Sequence, residues 1–302
     1  MKVVIAGGSG FLGQPLAASF DREGHEVVIL SRSGTSSSGR SVAWTPNGNS
    51  GPWAKEIDGA DAVVNLAGES IAGHRWTTAH KQRIADSRTN ATNSLVAAIK
   101  SASAPPRVFV SGSAVGYYGP RGDEILTEET PPGRDFLAEV CKRWEAAASA
   151  AASARTRVVY LRTGLVLALD GGALPPMLPP FKFGVGGPIG SGRQFYPWIH
   201  RDDWVSLARW CVADAVADGA VNATGPEPVE NRDFARAIGR AIHRPAFMPA
   251  PAFAMRILLG EMADALVLSG QRAVPAKAER LGFSFRYRTI DDALGAIFAA
   301  RR

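Results

Sequence analysis

The clearest chemistry in the chain lies within its first thirteen residues. Gly7-Gly8-Ser9-Gly10-Phe11-Leu12-Gly13 satisfies both Gly-x-Gly-x-x-Gly and Gly-x-x-Gly-x-x-Gly. It stands between a Val/Ile-rich run at 2–6 and a helical pattern that puts Leu12, Leu16 and Phe20 on one face. In such a turn the first glycines permit a tight reversal, Gly10 lets backbone N–H groups approach a pyrophosphate, and Gly13 lets the helix close on the strand. The helix adds unpaired N–H groups and its dipole, both favourable to an anion. These residues predict a dinucleotide site. The next strand, at 26–30, ends in Ser31-Arg32-Ser33, where an acid would hydrogen-bond the ribose 2′-hydroxyl of NAD. No acid is there. An arginine between two hydroxyls suits a 2′-phosphate through charge-assisted bonds, so the expected cofactor is NADP(H) in preference to NAD(H).

Such a turn works only at the edge of a sheet. Strand candidates at 2–6, 26–30, 42–44, 62–66, 107–110 and 157–161 alternate with helical patterns that include 79–100 and 136–153. This alternation predicts an α/β fold, a Rossmann-type doubly wound parallel sheet. The Ser-, Gly- and Asn-rich stretch 33–51 predicts a mobile surface loop. Beyond 169, Gly171-Gly172, Pro175-Pro176, Pro179-Pro180 and Gly186-Gly187-Pro188 break any long element. The expected division is an NADP(H)-binding Rossmann domain at 1–170, its sheet open to completion by later segments, and a smaller α/β substrate lobe at 171–302. In that lobe the patterns predict helices at 203–216, 231–243, 251–269 and 290–300 and a strand at 219–223.

Composition narrows the partners. With 46% hydrophobic residues the 302-residue chain can bury a sizeable core. The net charge of +6 is scattered and often sits beside acids, as in Arg201-Asp202-Asp203, with no basic stripe interleaved with aromatics. That excludes nucleic acid as the expected partner and suits an anionic small molecule. No apolar run reaches the ~20 residues of a membrane span. Cys141 and Cys211 lack partners at metal spacing and are expected to be buried thiols. The expectation is a cytoplasmic monomer or homodimer with no metal, no membrane and a small-molecule substrate.

Several further segments resemble the extended short-chain dehydrogenase/reductase superfamily: Asn65-Leu66-Ala67-Gly68, Val110-Ser111-Gly112-Ser113, Leu161-Arg162-Thr163-Gly164 and Trp198-Ile199-His200-Arg201-Asp202-Asp203. The run from Asn65 to Trp76, with Trp144-Glu145-Ala146-Ala147 and Leu268-Ser269-Gly270-Gln271-Arg272, is similar to an atypical, sugar-nucleotide epimerase-like subfamily. That subfamily has its own small C-terminal domain, which 248–298 resembles. The resemblance implies cofactor contacts at Leu66, Ala67, Gly68 and Ser111 as well as at the glycine turn. It also implies a hydroxyl at Ser113 and a ribose-binding lysine at Lys142.

The superfamily's acid/base is a Tyr four positions before the lysine, and here that position is Ala138. Tyr117 and Tyr118 follow Ser113 closely and stand as replacement acid, substrate-lining or packing residues. Arg88 occupies the place where many relatives carry an Asn. Glu69, Arg75 and His200 are candidate substrate residues; Lys81 and Arg88 could join a polar site or form a solvated helix face. Asp202 or Asp203 reads as the N-cap of the helix after His200. The implied function is an NADP(H)-dependent oxidoreductase or epimerase acting on a small polar substrate such as a nucleotide sugar. The alternative is a catalytically silent NADP(H)-binding redox sensor or regulator.

Overall fold

Val3 and Ile5 face one side of the first strand and Val4 and Ala6 the other, and all four are fully buried. Burial on both sides is what a central parallel strand requires. The computed structural model describes residues 1–33 and 39–299. Its main sheet has seven strands, numbered here in chain order: β1 Lys2–Ala6, β2 Glu26–Ser31, β3 Arg40–Ala43, β4 Ala62–Asn65, β5 Val108–Ala114, β6 Arg157–Thr163 and β7 Gly219–Ala223. All pairings are parallel, in the order β3-β2-β1-β4-β5-β6-β7. The order reverses between β1 and β4, and at that switch point the strand ends open a crevice for a ligand.

Helices cover both faces. α1 Gly13–Asp21 and α5 Arg201–Ala213 set Leu16, Phe20, Trp204 and Leu207 against one layer of strand side chains. α2 Thr78–Ser101 and α3 Phe136–Ser149 close the other, with Leu95, Ile99 and Ala148 in its core. The last sheet strand, β7, comes from beyond residue 170. A further cluster joins α4 Leu174–Lys182, α6 Asn231–Ala241 and α8 Ile290–Ala299 through Leu178, Phe181, Phe234, Ile238, Leu294 and Ile297. Among the described residues no helix is long and apolar enough to cross a membrane.

The differences from the sequence expectations have local causes. β5 continues through Ala114, so Ser111 and Ser113 lie on the strand itself. The proline pairs at 175–180 are taken into a helix: Pro175 and Pro176 fall in the first turn, where no backbone donor is needed, and Pro179 and Pro180 lie inside it. The single helix expected at 251–269 is broken at Gly260, whose φ of +62° ends α7 Ala252–Leu259 before a π-helical turn at Ala263–Leu268. Part of the expected loop, 34–38, and the end of the last helix at 300 lie outside the described residues.

Candidate cofactor and active site

The glycine turn folds as its spacing demands. Gly7 adopts φ +76° and donates its N–H to the Leu30 carbonyl at 3.2 Å. A Cβ at Gly7 would lie 2.8 Å from the Leu66 carbonyl carbon, and one at Gly13 would lie 2.3 Å from the Gly7 oxygen. Both positions therefore exclude side chains by contact with backbone. Gly10 differs: a Cβ there would meet only the Gly7 oxygen, at 3.3 Å, and otherwise faces open space. The N-cap of α1 is Leu12, which has no side-chain acceptor, whereas the side chains of Thr77, Asp135 and His200 accept N–H bonds at the starts of α2, α3 and α5. A crevice floored by glycine beside an uncapped helix start fits a pyrophosphate. The Phe11 ring packs against Gly171 and Gly172. Beside this crevice Ser31 and Ser33 share a 3.0 Å hydroxyl contact while Arg32 and Ser9 are exposed. Leu66 and Ala67 continue from the end of β4; Ala67 donates its N–H to the Asn65 side chain, which is anchored to Thr92.

The hydroxyl expected at Ser113 is 4% exposed and donates to Glu145 Oε1 at 2.6 Å. Glu145 in turn takes two bonds of 2.9 Å from Nε and Nη2 of Arg162. Arg162 also donates to the Tyr118 hydroxyl and the Glu128 carbonyl, and its guanidinium stacks 3.5 Å from the Tyr117 ring centre. Tyr118 donates to Asn222 Oδ1 at 2.6 Å. Burial pushes the Tyr118 phenol up to about 12. The two tyrosines therefore flank Arg162 as partners, with Tyr118 sealed in and Tyr117 half-buried.

α3 presents Ala138, Cys141, Glu145 and Ala148 inward. Lys142 is turned to the flank, with its side chain 40% exposed and its ammonium 2.6 Å from Glu139. Cys141, pushed up to about 12 by burial, shares with Glu145 the face that meets Ser113. The residue one turn before Cys141 is Leu137, which packs at Gly116. Neither Leu137 nor Ala138 supplies a phenol. Ser111 is fully buried on β5 and bonds its neighbour's carbonyl.

Glu69 stays beside the cofactor loop, held by its backbone N–H to Ser87 and its carbonyl to Arg88. Arg75 is instead engaged by the C-terminal segment, donating to the Ile257 carbonyl at 2.7 Å, and Lys81 pairs with Glu261 there. The cap of α5 is His200 rather than Asp202 or Asp203: its Nδ1 accepts the Asp202 N–H at 3.0 Å. Its ring lies buried 4.0 Å from that of Tyr287, and burial pulls its pKa down. Asp203 instead binds the backbone N–H groups of Arg286 and Tyr287. Glu145, Arg162, Asn222 and Glu128 carry the polar network at this edge, although the sequence offers Glu145 and Arg162 only within resemblance motifs and Asn222 and Glu128 not at all. The available signal was a charged residue at an inward position of a buried element, at Arg162 in β6 and Glu145 in α3.

Known proteins share this architecture. Residues 3–224 match the NAD dependent epimerase/dehydratase family, and 250–297 match a domain of unknown function, DUF1731. An epimerase family protein of Mycobacterium leprae is 43% identical over 97% of this chain and 94% of its own length. The crystal structure of human epimerase family protein SDR39U1 with NADPH superposes with a TM-score of 0.91 at 35% identity, covering 99% of both chains. A nucleoside-diphosphate sugar epimerase from Corynebacterium glutamicum gives 0.79 at 36% identity, covering 98% of this chain and 58% of that one. With the glycine crevice, the sheet order and these matches in agreement, the chain belongs to the NAD dependent epimerase/dehydratase family of the short-chain dehydrogenase/reductase superfamily.

Proposed function

We propose that this protein binds NADP(H) in preference to NAD(H) and acts as an oxidoreductase or epimerase on a small polar substrate, a nucleotide sugar being the leading class. The observation that carries the reading is the glycine crevice at the uncapped start of α1, with Ser31-Arg32-Ser33 beside it in place of an acid. The NADPH in the human relative's structure supports it. When bound, the nicotinamide supplies or accepts hydride. The chain's own residues bind and orient it: the turn and Gly68 by backbone, Arg32 by charge.

Ser113 donates its hydroxyl proton to Glu145, which leaves its lone pairs available to accept. A hydroxyl in that state accepts a proton from a substrate alcohol and relays it to the carboxylate, which Arg162 holds in place. This role does not require a tyrosine. Lys142, paired with Glu139 on the flank, would have to leave that partner to reach a nicotinamide ribose.

The test is a fluorescence titration with NADPH and NADH, followed by a screen of carbonyl, alcohol and nucleotide-sugar substrates. Arg32→Asp should weaken NADPH by about 1.5–3 kcal/mol, the range for hydrogen bonds to charged groups, and NADH by less. Equal losses for both cofactors would remove the 2′-phosphate role. One observation favours a second reading, an NADP(H)-binding sensor without turnover: α3 presents no tyrosine, and Tyr118 is locked between Asn222 and Arg162. Tight NADPH binding with no turnover across the panel selects that reading.

A further inference from the structure

Arg88 is a buried cation without a counter-charge. It sits on the inward face of α2 and is 8% exposed. Its Nη1 donates to the carbonyls of Glu69 and Ile84, each at 3.0 Å. Its guanidinium lies 5.1 Å from the centre of the Trp144 ring, and a Cβ at Gly68 would come within 3.2 Å of its Cζ. Among the described residues, no group accepts from Nε or Nη2 and no carboxylate stands within ion-pair distance. Burial pulls its pKa down, with only weaker opposing pulls from Cys141 and Glu69.

The contrast with Arg162 is direct. Both guanidinium groups are buried, but Arg162 has the Glu145 carboxylate and Arg88 has two neutral carbonyls and a ring face. Removing a guanidinium from water is unfavourable unless a charge and further hydrogen bonds compensate, and here the compensation is one negative charge short. The remaining Nε and Nη2 donors form a planar edge whose spacing matches a carboxylate or a phosphate. The guanidinium lies beside the candidate site: Arg88 touches Gly68 and Glu69 at the end of β4, and Trp144, over whose ring it sits, packs on Gly112 next to Ser113.

We propose that Arg88 is the anion-binding residue of the substrate site, and that the substrate carries a carboxylate or phosphate group. This rests on the reading that a nicotinamide cofactor fills the glycine crevice. The cofactor's own anions have other donors in that reading, the α1 start for the pyrophosphate and Arg32 for the 2′-phosphate, which leaves Arg88 to the substrate.

The experiment uses the full chain saturated with NADPH. Sodium phosphate and sodium acetate are titrated against sodium chloride at constant ionic strength, with tryptophan fluorescence and the thermal midpoint as readouts, since Trp144 lies under the guanidinium. The wild type should respond saturably to at least one oxyanion. Arg88→Met should weaken that response more than tenfold while NADPH affinity stays within threefold, and Arg88→Lys should fall between them. Arg88→Met should also raise the midpoint of the anion-free protein, because it removes an uncompensated buried charge.

A lowered midpoint with the anion response intact would make Arg88 structural and overturn the proposal. NADPH affinity falling in parallel with the anion response would assign the guanidinium to the cofactor and overturn it equally. A wild type that binds NADPH but answers neither oxyanion also overturns it. Failure to bind NADPH at all, seen before any anion is added, overturns the cofactor reading and this proposal with it.

Discussion

Removing Glu145 should make the protein unfold several degrees early. The carboxylate accepts two bonds from Arg162 and one from Ser113, and the two charged side chains are 10% and 5% exposed. In Glu145→Ala the guanidinium stays buried with only the Tyr118 hydroxyl, the Glu128 carbonyl and the Tyr117 ring as company. Breaking a buried pair in this way costs about 3–5 kcal/mol. An unfolding entropy of about 2.1 cal/mol/K per residue gives roughly 0.6 kcal/mol/K for this chain, so the midpoint should drop by ~5–8 °C. The control is Glu145→Leu with Arg162→Met, which replaces both charges by apolar groups of similar volume. Such replacements are often neutral or stabilising by about 1–4 kcal/mol, so this variant should melt between the wild-type midpoint and ~6 °C above it. Differential scanning fluorimetry at pH 7 reads both, and circular dichroism confirms the folded baseline. A loss below ~1 kcal/mol in Glu145→Ala would show that water reaches the guanidinium. A double variant as unstable as the sum of its single changes would refute the coupling itself.

Gly10→Val should abolish NADPH binding with an unchanged far-ultraviolet spectrum, because its side chain projects into open crevice; Gly13→Ala, forced onto the Gly7 oxygen, should instead lower stability by about 1–3 kcal/mol. Tyr118→Phe loses a donor and an acceptor in a sealed site and should cost about 1–3 kcal/mol in urea unfolding. In an active enzyme the same change should alter kcat less than tenfold, and a fall of ~10²–10⁴ would restore Tyr118 as the acid. The His200 imidazole is held below its ordinary value by burial, so the unfolded chain binds more protons there than the folded one. Its contribution is therefore present above about pH 6.5 and lost as pH falls below it. The thermal midpoint followed from pH 7.5 to 5.5 should decline, with a shallower slope in His200→Asn, which keeps a capping acceptor; an unchanged slope would acquit His200.

The cofactor half of this protein is legible in its sequence because its constraints are local. Gly7, Gly10 and Gly13 are spaced three positions apart, and the clash that forbids a side chain at Gly13 involves an oxygen six positions away. Strand alternation and helix period likewise need only a short window, which is why β1, α1, β2 and α2 appear where their patterns put them. The reactive half is assembled across the chain. Ser113 meets Glu145 thirty-two positions on, and Tyr118 meets Asn222 across 104. Lys142 fits the family's spacing in sequence, yet the inward stripe of α3 runs through Cys141 and Glu145, one position off, and leaves Lys142 on the flank. A count of four residues does not say which side of a helix it is counted along; only the packed neighbours do. The same limit separates Arg88 from Arg162. In sequence Arg88 stands between Ser87 and Thr89 and Arg162 between Leu161 and Thr163, and neither setting says which of the two meets a carboxylate. The fold supplies Arg162 with a carboxylate from another helix and supplies Arg88 with none. A charge neutralised within the chain is architecture. Arg88, left without a counter-charge at the end of β4, is the residue for which we infer an anion from outside.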